Sequence, residues 1–241
     1  MIPKIIHYAW FGNNPLPESV KTCIESWKKY CPDYEIRCWN ESNYDYKLTQ
    51  YTHEAYVHKK YAFVTDYLRL DILYRYGGIF FDTDVEVIRG FDPLLKYTGF
   101  TGFEHGEYED YPVNVGIGVG IGVEAGNPII KAMLEDYAGR VFIRADGTLD
   151  MTPCPTFQTR VLKRFGLILE NRQQDLGHIV VFPTEYFCPK NYYTSEVTIT
   201  SNTYSIHHYA ATWMPSYRKV WHFLTQKIYF FRKIDQVRKR V

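Results

Sequence analysis

Between Ile5 and Trp39 the apolar spacing of the chain changes twice. Ile5 to Phe11 is a largely apolar run that stops at the turn residues Gly12-Asn13-Asn14-Pro15. Behind Pro17 and Glu18, Val20, Ile24 and Trp27 recur at helical spacing as far as Cys31-Pro32-Asp33, and Tyr34 to Trp39 is a second strand. Strand, helix and strand in that order make an α/β fold with parallel pairing.

The alternation continues. A helical pattern from Glu54 to Tyr76 carries a buried stripe of Phe63, Val64, Tyr67, Leu68 and Ile72, and Gly77-Gly78 caps it. Ile79-Phe80-Phe81 follows as a strand and runs into Asp82-Thr83-Asp84 and then Val85-Glu86-Val87. Val113 to Val123 alternates Gly with Val and Ile; no lysine follows, so it is a strand that something approaches closely and not a phosphate loop. Pro128 to Tyr137 and Phe157 to Phe165 read as helices, Ile179 to Pro183 and Tyr204 to Tyr209 as strands.

Composition bounds the class. The chain has 241 residues, 46% hydrophobic and 23% charged, which excludes a disordered protein and suits one domain. No run approaches about 18 apolar residues, so no spanning helix is expected. The opening Met1 to His7 lacks the blocks of a signal peptide, which predicts a cytoplasmic protein, free or peripheral on the inner membrane face. Five cysteines without a Cys-x-x-Cys spacing argue against a disulfide framework and a zinc site. Aromatic residues make up 17%, which suits stacking on flat or sugar-like ligands and equally a Tyr-rich core.

The net charge of +1 conceals two regions. Eight cations and one anion after residue 216 give +7, leaving −6 over residues 1–216. In residues 217–241 Val220, Phe223, Leu224, Ile228, Phe231 and Ile234 recur at helical spacing among those cations. This is the pattern of an amphipathic helix on an anionic membrane surface, or of a terminal helix packed on the body with a solvated basic face. The expected division is therefore a catalytic domain over 1–216 and a basic helix over 217–241. The acidic body, without any recognised module, excludes nucleic acid.

An Asp-x-Asp spacing arises about once by chance in a chain this long, so context decides its meaning. Here an apolar strand delivers Asp82 and Asp84 to its carboxyl end, where ligands of open α/β sheets collect. Two carboxylates at that place suit a hard divalent ion completed by a ligand's diphosphate. Asp66 and Arg69 share one face of the preceding helix, either as a surface pair worth under about 1 kcal/mol or as part of the same site.

The block Ala62-Phe63-Val64-Thr65-Asp66-Tyr67-Leu68-Arg69, continuing through Leu73-Tyr74-Arg75-Tyr76-Gly77-Gly78-Ile79-Phe80-Phe81-Asp82-Thr83-Asp84, resembles the signature of glycosyltransferase family 32. That family carries a sugar-binding DXD motif, includes capsular polysaccharide synthesis enzymes and is related to the glucosyltransferase domains of clostridial toxins. Ile5 to Gly12, Ser26-Trp27, Pro32 to Ile36 and Ser205 to Trp213 resemble its opening, second and closing segments, so the likeness covers most of residues 2–215.

The resemblance implies a GT-A type, Rossmann-like nucleotide-sugar-binding fold with a mixed central sheet. It implies retaining transfer from a nucleotide-sugar donor, a UDP-sugar first, to a saccharide or lipid-linked saccharide in surface polysaccharide synthesis. Trp10 would stack on the base, Asp66 and Arg69 would contact the sugar and ribose, and Asp82 and Asp84 would hold the nucleotide and Mn²⁺ or Mg²⁺. Thr212 and Trp213 would close on the diphosphate, and the pair His207-His208 would complete the metal site. Adjacent strand residues face opposite sides, so at most one of the two histidines enters, His207 first. Two other functions fit an Asp-x-Asp after a strand: a haloacid dehalogenase-type phosphatase with the first Asp as nucleophile, and a catalytically silent nucleotide-sugar-binding subunit.

Overall fold

The computed structural model describes residues 1–104, 120–192 and 194–210. The strand–helix–strand opening forms as its spacing predicts: β1 (Ile5–Ala9), α1 (Glu18–Tyr30) and β2 (Glu35–Trp39), with β1 and β2 parallel and Ile5 opposite Glu35. Next come α2 (Gln50–Val57), α3 (Tyr61–Tyr76), β3 (Gly78–Phe80), β4 (Val85–Val87), β5 (Gly99–Gly102) and β6 (Ile121–Val123). The remainder is α4 (Pro128–Glu135), α5 (Cys154–Arg164), β7 (Gln174–Asp175), β8 (Val180–Phe182), α6 (Thr184–Phe187) and β9 (Ser205–His207).

The fold class is α/β with a mixed central sheet. Seven strands lie in the order β2-β1-β3-β6-β5-β8-β7, and β4 and β9 form a separate two-stranded ribbon. The pairings β1–β2, β1–β3 and β5–β8 are parallel, while β6 and β7 run against their neighbours. Five strands therefore end at one edge, which carries Trp10 after β1, Asp82 after β3 and Glu104 after β5. Among the described residues no helix is long and apolar enough to cross a membrane.

Alternation along β3 sorts the core. Phe80 packs with α2, α3, α4 and α5 on one sheet face, while Ile79 and Phe81 pack with Trp27 of α1 and Phe187 of α6 on the other. Most of the aromatic excess goes into these two clusters: Trp27, Phe80, Phe81, Phe91, Phe100, Phe103, Phe142 and Phe187 are fully buried.

The sequence pattern merges α2 and α3 into one helix from Glu54; the structure corrects this. The chain turns at Lys59, which has φ +56°, and the Lys60 amide donates to the Ala55 carbonyl at 2.8 Å. The polar run His58-Lys59-Lys60 offers no apolar side chain to continue the stripe, so α2 closes with a left-handed residue and α3 starts afresh. The predicted close approach to the glycine-bearing strand is made from within the protein: a Cβ on Gly122 would lie 2.4 Å from the Phe100 ring, its register partner on β5. Val113 to Val119 of that predicted strand lie outside the described residues.

At the Gly77-Gly78 corner φ is +64° and +95°, and a Cβ would meet the Ala125 amide at 2.7 Å or the Ile5 carbonyl at 2.8 Å. Only glycine turns the chain from α3 into the slot between β1 and β6. His7, fully buried, locks this corner. Its Nε2–H donates to the Gly77 carbonyl at 2.9 Å, and its Nδ1 accepts from the Trp39 indole at 3.1 Å, which fixes the neutral tautomer. Burial pushes the His7 pKa down from 6.5 to about 4. The unfolded chain thus binds this proton first, so stability is lost as pH falls from 6.5 towards 4. The loss from this one group is about 3 kcal/mol. Urea denaturation of wild type and His7→Gln at pH 7.5 and 4.5 checks it: the variant should show the smaller acid loss, and equal losses refute the assignment.

Candidate functional site

The site is built at the common strand edge, with α3 on one side and the β4–β9 ribbon on the other. Asp66 and Arg69, three residues apart on α3, project from one face, as their spacing predicts. They do not make a surface pair. Arg69 has a side-chain exposure of 4% and bridges two acids, its Nη2 lying 3.1 Å from Asp66 Oδ1 and 2.9 Å from Asp82 Oδ1. Its guanidinium also packs over the Phe80 ring at 5.3 Å. Burial would lower the Arg69 pKa, but Asp82 and Asp66 outweigh it and keep the cation. Burial raises Asp66 to about 6, with Arg69 opposing the rise and the Cys154 thiol at the start of α5 donating to its carboxylate.

Asp84 belongs to the ribbon side. Its Oδ1 lies 3.2 Å from His207 Nε2, and its Oδ2 accepts from the Ala210 amide at 2.7 Å. Burial pushes the Asp84 carboxyl up, yet His207 and the Ala210 amide prevail and hold it at about 2. The same contact works on the imidazole: burial would lower its pKa, and Asp84 raises it well above the ordinary value. Pairing of Val85 with His207 and Val87 with Ser205 sets this geometry. Helix α1 pins β4 in turn, the Trp27 indole donating to the Val85 carbonyl at 2.7 Å and Ser26 Oγ accepting from the Val87 amide at 2.9 Å.

The two histidines part company. Donor atoms of Asp82, Asp84 and His207 lie within 4.8 Å of one another, a spacing one cation can span. His208 is not brought to this group: its Nε2 meets Glu86 Oε2 at 2.8 Å, because alternation along β9 turns it the other way. The sequence expectation is that at most one of the pair enters, His207 first, and it is His207 that lies beside Asp82 and Asp84. Two carboxylates and an imidazole suit Mn²⁺ better than Mg²⁺, which prefers an all-oxygen shell. The imidazole also hydrogen-bonds the Cys188 side chain, the kind of outer contact that orients a ligating histidine.

Trp10 sits on the same edge, its indole donating to the Asn14 carbonyl at 2.7 Å. With Asn13, Asn14, Asn40, Glu41 and Ser42 it lines an open groove of about 750 Å³. Thr212 and Trp213 lie outside the described residues.

Residues 17–101 match a known family model. It is that of the glycosyltransferase sugar-binding region containing the DXD motif. The chain is 39% identical over 108 residues to inositol phosphoceramide mannosyltransferase 3 of Schizosaccharomyces pombe, covering 40% of this chain and 28% of that protein. It is 32% identical over 104 residues to mannosyl phosphorylinositol ceramide synthase SUR1 of Saccharomyces cerevisiae, covering 42% and 27%. The chain thus spans under a third of these two curated relatives. Among solved structures it is similar to the PaToxG glycosyltransferase, with a TM-score of 0.47 and 22% identity over 68% of this chain and 69% of that one.

One acid escaped the sequence pattern. Glu104, partly buried two residues past β5, joins the electrostatics of Asp82, Arg69 and His207. Enclosure raises its carboxyl to about 7, His207 pulling it down and Asp82 adding to the rise. Its local pattern is weaker than that of Asp82, since Thr101 and Gly102 interrupt the apolar residues Phe100 and Phe103 ahead of the acid.

Removing Arg69 should leave two acids without their buried cation. Arg69→Met is expected to destabilise the fold by about 3–5 kcal/mol. Asp66→Asn should cost less, because Arg69 keeps Asp82, and adding it to Arg69→Met should recover part of the loss. Urea denaturation of the three variants checks this, and a mild Arg69→Met would contradict a buried triad.

Proposed function

We propose that the chain is a metal-assisted glycosyltransferase of GT-A type, moving a hexose from a nucleotide-sugar donor to a hydroxyl of a saccharide or lipid-linked acceptor. The observation that carries the reading is the convergence of Asp82, Asp84 and His207 within 4.8 Å, in a chain whose residues 17–101 match the DXD sugar-binding region. Breaking an anomeric C–O bond releases a multiply charged diphosphate. A divalent cation held by Asp82, Asp84 and His207 would supply the positive charge that stabilises it.

The chain's own residues do the rest. Arg69 is fixed in place by two carboxylates, so its guanidinium, whose Nε and Nη1 are buried and without partners, has little freedom left to lose. Asp66, half-ionised near pH 6, can accept from or donate to a sugar hydroxyl. Trp10 and its groove would take the base. The phosphatase reading needs Asp82 as a free nucleophile, and the 2.9 Å bond from Arg69 argues against it. A silent binding subunit would bind the donor without turning it over.

The relatives are named for mannosyl transfer to a phosphoinositol-bearing ceramide, so mannose joins glucose among the first donors to assay, and a lipid-linked acceptor is favoured over a free saccharide. Donor hydrolysis with Mn²⁺, measured on UDP- and GDP-hexoses, tests the activity. Asp84→Asn and His207→Ala should each lose about 10²-fold or more of the metal-dependent rate with the fold intact. His208→Ala should stay near wild type; equal losses at both histidines would remove the assignment of His207.

Residues 217–241, outside the described region, are proposed to rest on an anionic membrane where such an acceptor resides. Flotation should show the full chain bound to vesicles containing anionic lipid and not to neutral ones, and binding that ignores lipid charge would contradict this.

A further inference from the structure

Helix α5 carries an amide that the fold leaves incomplete. Gln158 is 2% exposed, yet neither its Oε1 nor its Nε2 has a hydrogen-bond partner. Buried polar groups are nearly always paired, and one kept unpaired on both ends marks a place that something else completes. The position of Gln158 says what lies nearby. It stands one turn after Cys154, on the same helix face, and helical side chains lean towards the N-terminal turn. Cys154 is the residue whose thiol meets Asp66.

Other unfinished donors belong to the same neighbourhood. Arg69 holds Asp66 and Asp82 through Nη2 and leaves Nε and Nη1 unpartnered. Arg140 acts on Asp66, stacks its guanidinium 3.1 Å over the ring of Phe157 next to Gln158, and leaves Nη1 unpartnered. A charged leaving group would be served by the two cations. The neutral amide suits a different part of the ligand, because it offers one acceptor and one donor side by side, the complement of two neighbouring hydroxyls.

We infer that the Cys154–Gln158 face of α5 forms the wall of the sugar pocket across from Asp66 and Arg69, and that Gln158 reads a pair of adjacent hydroxyls on the transferred hexose. This rests on the glycosyltransferase reading. Gln158 is a specificity-determining residue: it touches hydroxyls away from the anomeric carbon and takes no part in bond breaking.

The experiment is thermal shift and equilibrium binding of the full chain with Mn²⁺, comparing UDP with UDP-glucose and GDP with GDP-mannose. In wild type the preferred sugar nucleotide should raise the melting point beyond its nucleoside diphosphate. Gln158→Met, similar in length and apolar, should melt no lower than wild type without ligand, since it removes an unpaired buried amide. It should keep the diphosphate shift and lose the increment due to the sugar, with sugar-nucleotide affinity falling roughly tenfold or more. A variant that keeps the sugar increment overturns the inference while the transferase reading stands, and so does one that melts lower with that increment intact, as a packing residue would. A wild type shifted by neither diphosphate nor sugar nucleotide overturns the transferase reading and the inference together. Should Gln158→Met fail to fold, Gln158→Glu keeps the length and one acceptor: unchanged discrimination between the glucose donor and its galactose epimer refutes the role, and altered discrimination supports it.

Discussion

A single guanidinium ties helix α3 to the end of strand β3. Arg69 is the buried cation between Asp66, on its own helix, and Asp82, at the end of the following strand. Taking three charges out of water is expensive, and their mutual attraction repays it only when geometry is fixed on every side. Here α3 fixes two of the groups, and the strand leaving Gly77-Gly78 fixes the third. The α3–β3 unit is therefore both a structural splice and the frame of the candidate site, and within it Nε and Nη1 of Arg69 are buried without a hydrogen-bond partner.

Charge is distributed unevenly around that frame. On the α3 side a permanent cation faces the acids, and Asp66 is half-ionised near pH 6. On the ribbon side Asp84 stays ionised against His207, whose proton is the exchangeable charge. A divalent ion entering between Asp82, Asp84 and His207 would substitute for that proton.

What the sequence made legible was local. Asp66 and Arg69 three residues apart must share a helix face, the double glycine must end α3, and an apolar run must deliver Asp82 to the strand edge. The α2–α3 break was written in His58-Lys59-Lys60 but hidden by a continuous stripe on either side. Glu104 and the α5 face were harder, since each reaches the site only through strand order and helix packing, which leave no short-range spacing behind. The separation of β4 from the main sheet is of the same kind: Val85-Glu86-Val87 looks like a continuation of β3 and instead pairs with β9. The aromatic content left ligand stacking and a Tyr-rich core equally open, and most of the described rings fill the two cores while Trp10 stands half-buried at the edge.

The β4–β9 pairing also bears on the order in which the site comes into being. The Asp66, Arg69 and Asp82 arm is assembled from residues close in the chain, whereas the contacts of Asp84 and Glu86 with the His207–Ala210 segment bridge separations of 122 and 126 residues. Closing so long a loop is entropically slow, and long-range pairs come late in folding. A chain emerging during synthesis would hold its guanidinium clasp well before the ribbon delivers an imidazole, so the Asp82, Asp84 and His207 group closes last, as a certificate that the distant strand has docked.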